Sequence, residues 1–135
     1  MAYHPGDGMN VPIGLRWLVT GAFVALVVIL SVTPGHGKSD DSGFVWLVAV
    51  TPPTVQKVLH LIVYAMLAAL WVWTLAGIES RPLRFAVAFI LTAGIGGILE
   101  WYQTQVPGRF GTLGDVLLNA LGAAGGLLLA AALAL

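Results

Sequence analysis

The sequence predicts an all-α membrane protein: four transmembrane helices with a short interfacial segment before the second. Three observations predict it. The 135-residue chain is 59% hydrophobic and only 9% charged, where soluble domains carry about 25% charged residues. Its apolar residues gather into four runs, each near the roughly 20 residues that a membrane-crossing helix needs. Pro- and Gly-containing breaks or polar turns separate those runs. Six basic and six acidic side chains cannot cover the surface of a soluble domain this size, and lipid is the solvent that removes the need.

Residues 1–13 read as a flexible polar tail, and residues 14–135 as the membrane domain. The first helix is expected over Gly14 to Thr33, interrupted only by Arg16, Thr20 and Ser31. A signal peptide is the competing reading, but the run exceeds the usual apolar core of one and no A-x-A site follows it. Pro34 to Ser42 is a loop carrying Lys38, Asp40 and Asp41. Phe44 to Val50 is apolar but too short to cross, and Thr51-Pro52-Pro53 ends it, so it is expected at the interface with Trp46 at headgroup level. The second helix is expected from Thr54 to about Gly77, with Trp71 and Trp73 as interface anchors. Glu79-Ser80-Arg81-Pro82 reads as a turn. A third helix follows from about Leu83 to Gln103, broken by Val106-Pro107-Gly108-Arg109. The fourth runs from about Thr112 to Leu135.

Four crossings put the end of helix one, the start of two, the end of three and the start of four on one face. Basic residues divide evenly, Arg16, Arg81 and Arg84 against Lys38, Lys57 and Arg109, so the positive-inside rule alone is a tie. Setting aside Lys57 and Arg109 as members of a site places both termini in the cytoplasm and that site near the outer face. Arg81 and Arg84 then read as topology signals, and Tyr3, Trp17, Trp101 and Tyr102 as belt or packing residues. Net charge is zero, so nothing points to nucleic acid. The absence of cysteine excludes disulfides, thiolate nucleophiles and Cys-ligated metals.

Ionisable residues inside spans are expensive and mark sites by default, and here they share one face. Lys57, His60 and Tyr64 lie at i, i+3 and i+7 on one stripe of helix two. Glu100 and Gln103 close helix three, Asp115 and Asn119 open helix four, and Arg109 lies between. Gly122 and Gly126 continue the Asp115–Asn119 stripe as a G-x-x-x-G face, and Gly96 lies one turn below Glu100. Small residues let helices approach closely, which points the polar stripes into the bundle.

These residues carry a resemblance. Gln56-Lys57-Val58-Leu59-His60-Leu61-Ile62-Val63-Tyr64 looks like the K-x-x-H-x-x-x-Y opening of a VanZ-like protein. Glu100-Trp101-Tyr102-Gln103, Pro107-Gly108-Arg109 and Asp115 to Gly122 resemble that family's E-x-x-Q, P-x-R and D-x-x-x-N-x-x-G. The likeness covers roughly Pro53 to Leu128, takes in Pro34, and shows no departure at the motif positions. It implies a four-helix bacterial protein of the inner (cytoplasmic) membrane. The family is named for a member giving low-level resistance to teicoplanin, a lipidated glycopeptide acting on the cell envelope, and it implies no settled chemistry.

Each candidate has a plain reading beside its functional one. The cluster as a whole is either a site or a buried network that fixes helix register, which requires every charge to be paired. Lys57 is a snorkelling residue or a point charge for phosphate. Arg109 is the partner of Glu100 or Asp115, or a bidentate fork for phosphate or carboxylate. His60 is a satisfied hydrogen-bonding residue or an acid–base group. Glu100 is half of an ion pair or a general acid or base. Asp115 complements a helix dipole, Asn119 lies deeper with less reason to be there unpartnered, and Tyr64 is a donor or an interfacial aromatic. His60, Glu100 and Asp115 lack the close pair, such as H-x-x-x-H, that a zinc site shows, so no metal and no cofactor are expected.

The leading expectation is a site for an amphiphile with an anionic head, a membrane lipid or lipid-linked envelope molecule, with Lys57, Tyr64, Gln103, Arg109, Asp115 and Asn119 as binding residues. Such a site would alter how lipophilic glycopeptides reach their target. A second expectation is an enzyme modifying an envelope lipid through Glu100 and His60. No G-x-S-x-G motif supports a covalent mechanism. A third is a non-catalytic helper that binds a partner membrane protein through its glycine faces. The sequence leaves the oligomeric state open.

Overall fold

The computed structural model describes residues 11–33, 43, 46, 50–106 and 108–135. Among these it contains four helices: α1, Ile13–Val32; α2, Pro53–Thr74; α3, Arg81–Gln103; and α4, Leu113–Ala132. Each is long and apolar enough to cross a membrane. Most of the expected tail, and most of the expected interfacial segment from Phe44 to Val50, lie outside the described residues; Trp46 and Val50 are exposed.

Helix ends follow the local sequence, with shifts of a few residues from the expected bounds. α2 starts at Pro53, with Pro52 as N-cap, because proline lacks only an N–H that the first turn leaves unpaired anyway. α3 starts at Arg81, before the expected Leu83, for the same reason. Pro82 fits its first turn and the Ser80 hydroxyl accepts from the Leu83 N–H at 3.5 Å. Thr112, expected to open α4, is its N-cap. Its Oγ accepts from the Asp115 N–H at 3.1 Å and donates to Asp115 Oδ2 at 2.8 Å, an N-cap that also sets a carboxylate against the positive end of the helix.

The helices run antiparallel in sequence order. α2 and α3 each touch all three others, while α1 and α4 stand on opposite sides of that central pair. Leu67, Ala68 and Val72 of α2 are wholly buried. Outward positions keep large apolar side chains in the open, such as Leu18 and Ile90 at 67% and Leu128 at 74% exposure. In water such a surface would aggregate; in a bilayer it is the lipid face.

The closest seam joins α2 to α4. A Cβ at Gly122 would lie 2.7 Å from the carbonyl oxygen of Leu61, and one at Gly126 would run into the carbonyl of Ala65. The glycine face foreseen in the sequence is therefore used within the chain, pressed on α2, and is not available for the partner protein the third expectation placed on it. Lipid offers no hydrophobic drive between helices, so such close backbone contact supplies the packing instead.

None of the four helices has a basic residue in its last turn. Three of them receive an arginine from elsewhere. Arg16 of α1 donates to Trp73 O at 3.0 Å near the end of α2, its guanidinium 5.3 Å from the Trp73 ring centre. Arg81 of α3 donates to Ala131 O of α4, and Arg84 to Leu135 O. Arg109 donates to Leu30 O and Thr33 O, closing α1. Unpaired carbonyls and the negative end of each dipole are met together. The arginines that read as topology signals are thus also inter-helix caps. At the same end, Thr20 and Thr74 share a buried hydroxyl contact of 2.6 Å, and Trp17 meets Trp71 edge-on at 5.9 Å.

Candidate functional site

The polar cluster assembles where α1 and α3 end and α2 and α4 begin. At its centre is His60 on α2. Its Nδ1 lies 2.7 Å from Asn119 Oδ1 of α4 and 3.6 Å from Glu100 Oε1 of α3. Its ring lies nearly parallel to that of Tyr64, one turn along α2, with centres 6.2 Å apart and planes 12° apart. Glu100 and Asn119 are 3% and 1% exposed, so three helices meet on one imidazole with almost no solvent behind it. Gly96 makes the room. A Cβ there would fall 2.9 Å from Tyr64 Cε1 and 3.1 Å from Asn119 Nδ2.

Asn119 Oδ1 can only accept, so the geometry puts the proton of the neutral ring on Nδ1 and leaves Nε2 with its lone pair. Glu100 is buried at this seam, with the Asn119 side chain and the Thr112 backbone N–H as its hydrogen-bonding neighbours beside His60.

In front of His60 lies a cavity of about 130 Å³. Val27, Leu30, Leu59 and Val63 give it apolar walls, and Gln56, His60, Tyr64, Gln103 and Arg109 supply its polar side. Gln103 is fixed by donating to Ser31 O at 3.2 Å. Arg109 spends Nε on Thr33 O at 2.9 Å and one terminal nitrogen on Leu30 O at 2.8 Å, which leaves donors of its fork for the cavity. Burial lowers the Arg109 pKa from its ordinary value, with the nearby Glu100 opposing the change, and the guanidinium stays charged all the same. Neither Glu100 nor Asp115 is its hydrogen-bonding partner among the described residues, contrary to the plain reading of its place in the sequence.

The other sequence candidates fall differently. Lys57 is exposed on α2 and does not line the cavity. Asp115 is engaged by Thr112 in the α4 cap. Tyr64 is 3% exposed and belongs both to the cavity wall and to a core with Val27, Leu67 and Leu99. Gln56, which precedes Lys57 in the motif and has no role predicted for it, is a cavity residue; it donates to Thr51 O at 2.8 Å. Its spacing of four from His60 was the available signal. Among the described residues no cluster of three or more His, Cys, Asp or Glu side chains is placed to hold a metal ion.

No curated protein and no solved structure matches this chain. The family comparison is positive: the VanZ/LLP1 family matches residues 17–134, which takes in α1 from Trp17 onward, the other three helices and the whole of the cluster. On that match the chain belongs to the VanZ/LLP1 family of membrane proteins.

Proposed function

We propose that the cavity before His60 receives the head of an anionic amphiphile, a membrane lipid or lipid-linked envelope molecule, with Arg109 as its charge contact. The observation that carries this is the pairing of apolar walls with a fixed guanidinium in one cavity that, among the described residues, no carboxylate lines. An acyl chain suits Val27, Leu30, Leu59 and Val63, and a phosphate or carboxylate suits the free side of an arginine fork. Exposed Lys57 adds positive charge one turn from His60. The protein then lies in a bacterial inner membrane with both termini cytoplasmic and the cavity near the outer face. There, holding or moving an envelope lipid would change how lipophilic glycopeptides such as teicoplanin reach their target.

The test is native mass spectrometry after incubation with a bacterial lipid extract, on wild type, Arg109→Gln and the cavity-filling Val63→Trp. Gln at 109 keeps a donor for the α1 carbonyls and loses the charge. Wild type is expected to retain anionic lipid that both variants lose while still folded by circular dichroism. Equal retention by all three overturns the reading.

One observation favours a second reading, an enzyme acting on such a lipid. A ring held on Nδ1 with a carboxylate 3.6 Å away is the arrangement of a base with its orienting group. A lipid of altered mass, lost in Glu100→Gln, would carry that reading forward.

A further inference from the structure

His60 faces two environments. Behind it, Nδ1 meets the buried Asn119 and Glu100. The ring lines the cavity, and Nε2 is the ring nitrogen that neither Asn119 nor Glu100 engages. A neutral ring with Nδ1–H would offer the cavity a lone pair, which repels an anion. A protonated ring offers it an N–H donor and a positive charge, and Glu100 behind supplies the counter-charge.

We infer that His60 is a proton-linked second cationic contact for the anionic head, so that binding the head takes up a proton from solution. This rests on reading the cavity as an anion site. The balance is simple: neutral imidazole, one solvent proton and the anion give an imidazolium beside the anion, with Nε2–H donating to an anionic oxygen and Arg109 donating to another. No bond other than that N–H is made.

The surrounding groups fit the assignment. α3 presents Glu100 to the ring. α4 presents Asn119, with Asp115 one turn earlier and held by Thr112. α2 itself contributes Tyr64, stacked on the ring, and Lys57, exposed one turn before. The α3–α4 connection contributes Arg109, and α1 brings to the cavity wall only Val27, Leu30 and Ser31, which do not titrate. Asn119 explains why the device needs both neighbours. Its oxygen holds Nδ1–H in place whichever state the ring is in, while the carboxylate rewards only the charged state.

Linkage gives the size of the effect. Uptake of one proton makes affinity fall as pH rises, by up to about tenfold per pH unit. The probe is a short-chain phosphatidylglycerol, whose phosphodiester keeps its charge across pH 5 to 9, added to the full chain in neutral phosphatidylcholine nanodiscs. Calorimetry in two buffers of different ionisation enthalpy reads proton uptake directly. Nitrogen-15 spectra of the His4→Gln, His36→Gln protein, in which His60 is the remaining histidine, read its charge with and without probe. The expected result is buffer-dependent heat, the pH slope above, and an imidazolium signal that appears with the probe; His60→Gln, which lacks this contact, binds more weakly at acid pH, and its residual binding through Arg109 shows neither dependence.

Binding with no buffer dependence and an unchanged imidazole spectrum overturns the proton linkage while leaving the anion site standing. A pH slope that survives in His60→Gln overturns it too. No binding by wild type at any pH overturns the anion site itself, and this proposal with it.

Discussion

Gly126→Ala should weaken the bundle, and Gly125→Ala, one residue away, should not. At 126 a Cβ would run into the carbonyl oxygen of Ala65 and lie 2.7 Å from that residue's Cα and carbonyl carbon, where ordinary contact begins at 3.4 Å. The obstacle is backbone, so no rotamer change relieves it, and α2 and α4 must part by most of an ångström along their closest seam. Overpacking of this kind costs about 1–3 kcal/mol, while the better helix propensity of alanine returns at most about 1 kcal/mol. The net expectation is a loss of up to about 2 kcal/mol, and because the propensity gain is common to both variants, Gly126→Ala should lie about 1–3 kcal/mol below Gly125→Ala. At Gly125 nothing lies within 4 Å of the added carbon, so the helix gains propensity at no steric cost and stability should hold or rise slightly. Reversible SDS unfolding in mixed micelles, followed by the fluorescence of the five tryptophans, reads both variants in the same units. Equal effects at the two positions would refute the close α2–α4 approach on which the placement of Asn119 against His60 depends.

Two further expectations follow from the same structure. A double-mutant cycle of Thr20→Val and Thr74→Val should show a coupling of about 0.6 kcal/mol, and no more than about 1.7, the range for hydrogen bonds between membrane helices; zero coupling in SDS unfolding would mean that the 2.6 Å contact does not tie α1 to α2. The natural chain has no cysteine, so single cysteines at Phe110, 80% exposed beside the site, and at Glu79, on the opposite turn, can be probed in cells with a membrane-impermeant thiol reagent. Phe110→Cys should label from outside and Glu79→Cys should not; the reverse pattern would invert the proposed orientation.

What the sequence determined by itself was the fold class, the four crossings and the gathering of polar residues at one end. Each of these is a property of one segment and its solvent. About 20 apolar residues in a row must form a helix in lipid because every backbone polar group has to be paired within the segment, and crossings then alternate by counting. Glu100 and Asn119 could be assigned to the bundle interior because a bare polar group at that depth has nowhere else to go. Tertiary structure decided how those residues divide. It set Asn119 and Glu100 together on one nitrogen of His60, put Arg109 on the carbonyls at the end of α1 rather than on Glu100 or Asp115, and left Lys57 outside the cavity. It also gave three helices their C-terminal cations from neighbouring elements and closed the Gly122–Gly126 face onto Leu61 and Ala65. Spacing along one helix fixes which residues share a stripe. Which stripe meets which depends on the rotation of each helix about its own axis, and that is set by backbone contacts between residues some sixty positions apart.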